Sequence, residues 1–244
     1  MSVQGQQKVA VVVVAHPDDA EFGAAGTVAT WVSEGWEIHY VICTDASGGG
    51  ADDATDVGAE ARKVISDIRK REQRAACDVL GVKDVVFLDY PDGLLQPSVE
   101  LRRNLVRVFR QYRPSRVLCQ SPERTWTPVY AIGRYHPDHL AAGQATISAV
   151  YPATQNGWDF PEFLKEGLLP HKISEVYFMG APNPNYAVDI TERWEQKVAA
   201  LRAHNSQLGA RFDEMLGFIQ TRTADCGAKY GMTYAEEFHR AENR

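Results

Sequence analysis

Six consecutive small or β-branched apolar residues, Val9 to Val14 (Val-Ala-Val-Val-Val-Val), narrow the folds open to this chain more than any other stretch. The run is too short to span a membrane. It is also too evenly apolar for a strand with one wet face, so it reads as a central parallel strand buried on both faces. Polar chemistry begins where the run stops: His16, Asp18 and Asp19 follow it, with Pro17 holding the segment extended or turned. Open α/β sheets carry ligands at the carboxyl ends of their strands. A histidine and two carboxylates in that place suggest a metal.

A second cluster, His136-Pro137-Asp138-His139, repeats the pattern far along the chain and also precedes a helix-like run. In a parallel sheet both clusters fall on the same edge. A single His-Pro-Asp is well explained as a turn whose aspartate starts a helix. Two of them on one edge call for a shared function. The candidates are His16, Asp18, Asp19, His136, Asp138 and His139. A catalytic zinc takes three N or O donors and keeps a position open for water, which leaves side chains over for acid–base work.

The remaining elements alternate. A helix is expected over Gly23 to Ser33, a strand over Trp36 to Thr44, a helix over Glu60 to Leu80 and a strand over Asp84 to Asp89. In the Glu60 to Leu80 helix, Val64, Ile65, Ile68, Ala75, Ala76, Val79 and Leu80 form the expected inner face. Further helices follow over Ser98 to Tyr112 and Asp138 to Val150, with strands at Arg116 to Gln120, Glu175 to Met179 and Tyr186 to Ile190. Thr191 is placed as N-cap of a helix running to about His204, and Leu208 to Glu242 as helices around a break at Cys226-Gly227. Tyr151 to His171 reads as irregular. This alternation predicts an α/β, Rossmann-like doubly wound, mostly parallel sheet with helices on both faces, one domain over residues 1–244.

The glycine- and aspartate-rich stretch Asp45 to Gly58 and the segment Ser121 to Tyr135 are expected as rims of the site. Their aromatic neighbours Trp126, Tyr130 and Trp158 suit stacking on a sugar or equally a core. Gly23-Ala-Ala-Gly26 is no dinucleotide fingerprint, since those glycines must follow the strand directly. That place holds His-Pro-Asp-Asp, and its carboxylates repel phosphate. A net charge of −6 argues against a nucleic-acid protein, and no leader or long apolar segment is present, so a cytoplasmic protein without a membrane span is expected. Cys43, Cys77, Cys119 and Cys226 form no C-x-x-C pair and read as reduced and buried. His39 and His171 are taken as structural or solvent-facing; His204 is left unassigned.

The stretch Ala15-His-Pro-Asp-Asp-Ala-Glu21-Phe-Gly, followed by Gly26-Thr27 and later by His136-Pro-Asp-His139, resembles the PIG-L/LmbE-like zinc-dependent N-deacetylases. Arg69-Lys-Arg-Glu72, Leu88-Asp-Tyr-Pro-Asp92-Gly and Ala200-Leu-Arg-Ala-His204-Asn-Ser-Gln207 carry the likeness across most of the chain. These enzymes deacetylate N-acetylglucosaminyl compounds: glycolipid precursors, sugar-thiol precursors and some antibiotic sugars.

The resemblance implies one Zn2+ per chain on His16, Asp19 and His139, with iron or cobalt as other fitting metals. It implies Asp18 as general base, His136 as oxyanion stabiliser, Asp138 as the residue orienting an active-site histidine, and Arg69 and Asp92 as sugar contacts. Glu21 is implied only as a supporting or helix-start carboxylate. Arg134-Tyr135 precedes His136 where some sugar-thiol deacetylases of this kind have a tyrosine two residues before the histidine. The partner implied is a small amino-sugar substrate, and a homo-oligomer is left open. Cleavage of a different amide, such as a thiol-sugar conjugate, is the alternative, and a non-catalytic metal-binding module is the rival from another class.

Overall fold

A computed structural model describes residues 8–51, 53–126 and 135–244. In chain order it contains β1 (Val9–Val14), α1 (Asp19–Ser33), β2 (Glu37–Thr44), α2 (Ala59–Leu80), β3 (Asp84–Tyr90), α3 (Val99–Tyr112) and β4 (Arg116–Gln120). There follow α4 (Pro137–Val150), the short α5 (Glu162–Lys165), β5 (Glu175–Met179), β6 (Tyr186–Asp189), α6 (Trp194–Arg202), α7 (Asn205–Leu208), α8 (Phe212–Tyr230) and β7 (Ala235–Glu242). The strands form one sheet in the order β3-β2-β1-β4-β5-β7-β6. The first five are parallel, and β7 runs antiparallel to both β5 and β6.

The apolar run of β1 is fully covered, as expected. Ala10, Val12 and Val14 pack into the core under α1 and α2, whereas Val11 and Val13 pack into the core under α3 and α4. Burying each of these valines is worth about 1.5–3 kcal/mol. The order in which strands are added reverses at β1, with β2 and β3 laid down on one side of it and β4 and β5 on the other. The two central strands part at their carboxyl ends there, opening the crevice used by doubly wound sheets.

Four expectations need correction. Helix α1 starts at Asp19 rather than Gly23, four residues earlier, because Asp18 takes a left-handed turn (φ 83°) directly before it. The inner face of α2 is apolar only in its last turns, where Ala76 and Leu80 join the core as expected; before them Ser66, Arg69 and Gln73 are buried, while Val64 and Val79 are 49% and 38% exposed and Ala75 also faces solvent. The polar part of that face overlooks the catalytic edge. Thr191 opens a short 3-10 turn before α6, and its hydroxyl accepts from Tyr234 N–H at 3.2 Å instead of capping an α-helix.

The tail is a helix and a strand. α8 runs straight through Cys226-Gly227, since a side chain at Gly227 would sit 2.7 Å from Met232 O and 2.8 Å from Thr233 O. This glycine serves close approach, not helix termination. Residues 235–242 form β7 despite their helix-like composition, because the slot between β5 and β6 supplies ladder partners on both sides. All four cysteines are free and buried. His39 is structural, buried between Asp84 (2.6 Å) and Glu37 (2.9 Å), and His171 bonds Pro114 O at 2.7 Å.

Helix α4 delivers the second histidine cluster by seating directly on the end of β4. A Cβ at Gly143 would lie 2.5 Å from Gln120 O and 2.8 Å from Pro122 N. Gly143→Ala is therefore expected to lower unfolding free energy by about 1–3 kcal/mol, read as a reduced urea midpoint with unchanged slope. An unchanged midpoint would mean that α4 can lift off the strand at no cost.

Candidate active site

The site is assembled at the carboxyl edge of the sheet. From the end of β1 come His16, Asp18 and Asp19. Asp18 holds a left-handed backbone that costs a non-glycine residue about 1–3 kcal/mol, so its surroundings must enforce it. Helix α2 does this: Gln73 Oε1 accepts from Asp18 N–H at 3.1 Å, and Arg69 Nη2 donates to Pro17 O at 3.0 Å and to Asp18 Oδ2 at 3.3 Å. The turn after β3 contributes Asp92, whose Oδ2 accepts from Gly48 N–H at 2.9 Å and ties in the glycine-rich rim.

The start of α4 contributes the rest. His136 is its N-cap, with Nδ1 accepting from Asp138 N–H at 3.2 Å, and Pro137 occupies the first turn. Asp138 is fully buried, and its two oxygens accept from Leu95 N–H at 3.1 Å and Gly93 N–H at 2.8 Å.

His16 is the hub. Its Nε2 lies 3.0 Å from Asp92 Oδ1 and 3.1 Å from Asp138 Oδ2, while its Nδ1 lies 3.4 Å from Asp19 Oδ2. The other oxygen of Asp19 is 3.0 Å from His139 Nε2. Ligand atoms of His16, His136 and His139 all fall within 4.8 Å of one another, as do those of His16, Asp92 and Asp138. Asp19 links two of these histidines directly, and His136 has one ring nitrogen already committed to α4. The sequence candidates are thus brought together, and Asp92 joins them on His16 rather than standing apart.

Electrostatics follow from this packing. Burial opposes a charge on His16, yet hydrogen bonds with Asp138, Asp19 and Asp92 push its pKa up to about 12. Burial likewise opposes ionisation of Asp19, but His139 and His16 hold its carboxyl far below the usual range. Asp92 is drawn down to about 2 against its burial by His16, and Asp138 is lowered by the same partner and by Gly93. Asp18 goes the other way: burial and the Asp19 charge raise it to about 6, against the pull of Arg69 and His204.

Burial and the charges of His16 and His139 push His136 below its ordinary value. Because its Nδ1 is an acceptor, its neutral ring carries the proton on Nε2. Three carboxylates around one imidazole make a place for a cation. The donor set of imidazole and carboxylate suits zinc and also iron(II) or cobalt(II).

Sequence reasoning did not single out Gln73, which is buried one turn after Arg69. Its i+4 spacing from Arg69 was the available signal. Nor did it place Glu21 and His204, which are paired at 3.1 Å in the interior. The segment 204–207 also joins Ser206 to Glu72 and Gln207 to Gly49 O. A cleft of about 710 Å3 opens from Asp19 and His139 past Phe22, Met179, Met215 and Phe218. Trp126 and Trp158 are 72% and 93% exposed, so neither belongs to the core. Tyr130 and Arg134 lie outside the described residues.

The family model for GlcNAc-PI de-N-acetylase, PIG-L, matches residues 11–150. The chain belongs to the PIG-L family. Over 222 residues it is 33% identical to the diacetylchitobiose deacetylase of Thermococcus kodakarensis, covering 91% of this chain and 78% of that protein. It is 25% identical over 245 residues to the 1D-myo-inositol 2-acetamido-2-deoxy-α-D-glucopyranoside deacetylase of Nocardia farcinica, covering 81% and 80%. The solved N,N'-diacetylchitobiose deacetylase of Pyrococcus horikoshii superposes with a TM-score of 0.84 at 30% identity, covering 96% of this chain and 84% of that one. These relatives are deacetylases, and the doubly wound α/β architecture of this PIG-L chain is theirs. Among the described residues no helix is long and apolar enough to cross a membrane.

Asp138 holds His16 Nε2, so its loss should loosen any metal bound through the other ring nitrogen. Asp138→Asn is expected to weaken zinc binding about 10–100-fold in a chelator competition titration. Wild-type affinity in that variant would separate Asp138 from the metal.

Proposed function

We propose that this chain is a zinc-dependent hydrolase that removes the acetyl group from an N-acetylglucosaminyl-type substrate. The supporting observation is the pairing of a cation-seeking cluster (His16, Asp19, His139) with a separate half-buried carboxylate, Asp18, that contacts Arg69 instead of a histidine. A purely structural zinc takes four protein ligands and needs no spare base. We read the chain as one deacetylase domain.

His16, Asp19 and His139 would hold the metal. When bound, zinc supplies Lewis acidity toward the acetamide carbonyl and the attacking water. Asp18 takes a proton from that water as its oxygen bonds to the acetyl carbon. His136 donates its Nε2 proton in a hydrogen bond to the carbonyl oxygen as charge builds there. Asp18 then gives the proton to the departing nitrogen, the C–N bond breaks, and acetate and a free amino sugar result. Asp138 keeps His16 in one tautomer. Arg69 and Asp92 are assigned to sugar contact as well as to their protein partners. The cleft beyond His139 has room for a group larger than the acetylated sugar alone.

The test is release of acetate and of free amine from a panel of N-acetylglucosaminides and a thiol-sugar conjugate, using metal-stripped protein restored with zinc; free amine without acetate would mark cleavage of a different amide. Zinc should restore release, and Asp18→Asn should lose about 10²–10⁴-fold in kcat while still binding metal. Metal binding without release from any panel member would overturn the reading. A further expectation separates the two roles of Arg69. Because it secures Asp18, Arg69→Met should lower kcat about 10–100-fold in steady-state kinetics; a rise in KM alone would make it a sugar contact only.

A further inference from the structure

Behind Asp18 lies a row of buried polar side chains that the reaction above does not use. Gln73 and Glu21 are 0% exposed and His204 is 1% exposed. Gln73 Oε1 accepts from Asp18 N–H, and its Nε2 donates to Glu21 Oε1, each at 3.1 Å. Glu21 Oε2 meets His204 Nε2 at 3.1 Å. One residue comes from α2, one from α1 and one from the turn before α7. Polar groups this deep are costly unless bonded, and of these three side chains only His204 keeps an atom, Nδ1, with no partner among the described residues.

The geometry points to Gln73, Glu21 and His204 as positioning residues: together they fix the direction of the Gln73 amide and, through it, the left-handed backbone that presents Asp18. An amide side chain has two ends of nearly equal shape. Turned over, Gln73 would set its NH2 against the N–H of Asp18, donor against donor. A carboxylate only accepts, so Glu21 leaves Gln73 one orientation, and the ring of His204 must donate to the second oxygen of Glu21. Hydrogen-bond direction therefore runs from His204 to Glu21, from Gln73 to Glu21, and from Asp18 N–H to Gln73. The inference rests on Asp18 acting as the base of the proposed deacetylation.

Directionality gives a test by exchange. In E21Q, His204 keeps its proton on Nε2, because an Nδ1–H would be buried without an acceptor, and donates to the new amide oxygen; the new NH2 then faces Gln73 and turns it over. In Q73E, two carboxylates face each other. In the double variant E21Q/Q73E the new Gln donates to the new Glu, which still accepts from Asp18 N–H. Each single variant should lose about 10–100-fold in kcat with KM and zinc content unchanged. The double variant should return to within about threefold of wild type, a coupling read directly from the cycle.

A merely structural role would lower thermal stability without separating kcat from KM. Folded single variants with wild-type kcat, or a folded double variant no better than the singles, would overturn the inference. Hydrogen exchange at the Asp18 amide, followed by NMR, supplies a readout free of activity and should quicken about tenfold in E21Q. If the wild type releases no acetate, the deacetylase reading falls, and this exchange alone decides. Unchanged protection in E21Q overturns the positioning role.

Discussion

One imidazole ring among three carboxylates is the constraint on which this structure turns. His16 sits at the tip of the central strand, and it meets Asp19, Asp92 and Asp138 from three different chain segments. Such an arrangement is stable only with positive charge at its centre, whether a proton on the ring or a metal ion beside it. The remaining features of the edge follow from supplying and containing that charge. Asp138 spends its other bonding capacity on backbone N–H groups of the segment after β3, so the first and second histidine clusters are tied through the turn that carries Asp92.

Containment falls to α2. Its polar inner face reaches over the end of β1, with Arg69 on Asp18 and Gln73 on the backbone beside it. The segment 204–207 then binds α2, α1 and the glycine-rich rim together through Glu72, Glu21 and Gly49. Side chains reaching a strained residue from several elements are what precise placement of a reactive group requires. The neighbouring cleft, by contrast, is lined by Met, Phe and Ile on α8 and stays open toward solvent. Rigid chemistry and an accommodating entrance therefore sit side by side.

Much of the sheet was legible because β1 through β5 obey local rules: an unbroken apolar run where both faces are covered, helix periods between strands, and polar residues at the tips. The metal-binding cluster was legible because its two parts share a pattern and an edge. Gln73, Glu21 and His204 were not, since each looks ordinary in its own segment and acquires a role only when three helical regions converge. The inner face of α2 misled for a related reason. Hydrophobic periodicity assumes an apolar core, and from Ser66 to Gln73 the interior is a polar site, the apolar core resuming only at Ala76 to Leu80. The last strand was missed because its composition favours helix and only the pairing slot between β5 and β6 makes it a strand.

That slot bears on how the molecule comes to be made. Because β6 reaches the sheet only through β7, a nascent chain cannot add β6 until residues 235–242 have left the ribosome. The half bearing His16, Asp92 and His139 has all its strands long before. Yet Glu236 on β7 also receives the N–H groups of Gly26 and Thr27 in α1 and the ammonium of Lys197, which itself clasps α1 at Glu21 O and Phe22 O. The helix beside the catalytic edge is thus completed by residues that follow every strand bearing a site residue. The early half serves as a template for the later strands, and α1 gains its last buried partners only when β7 docks.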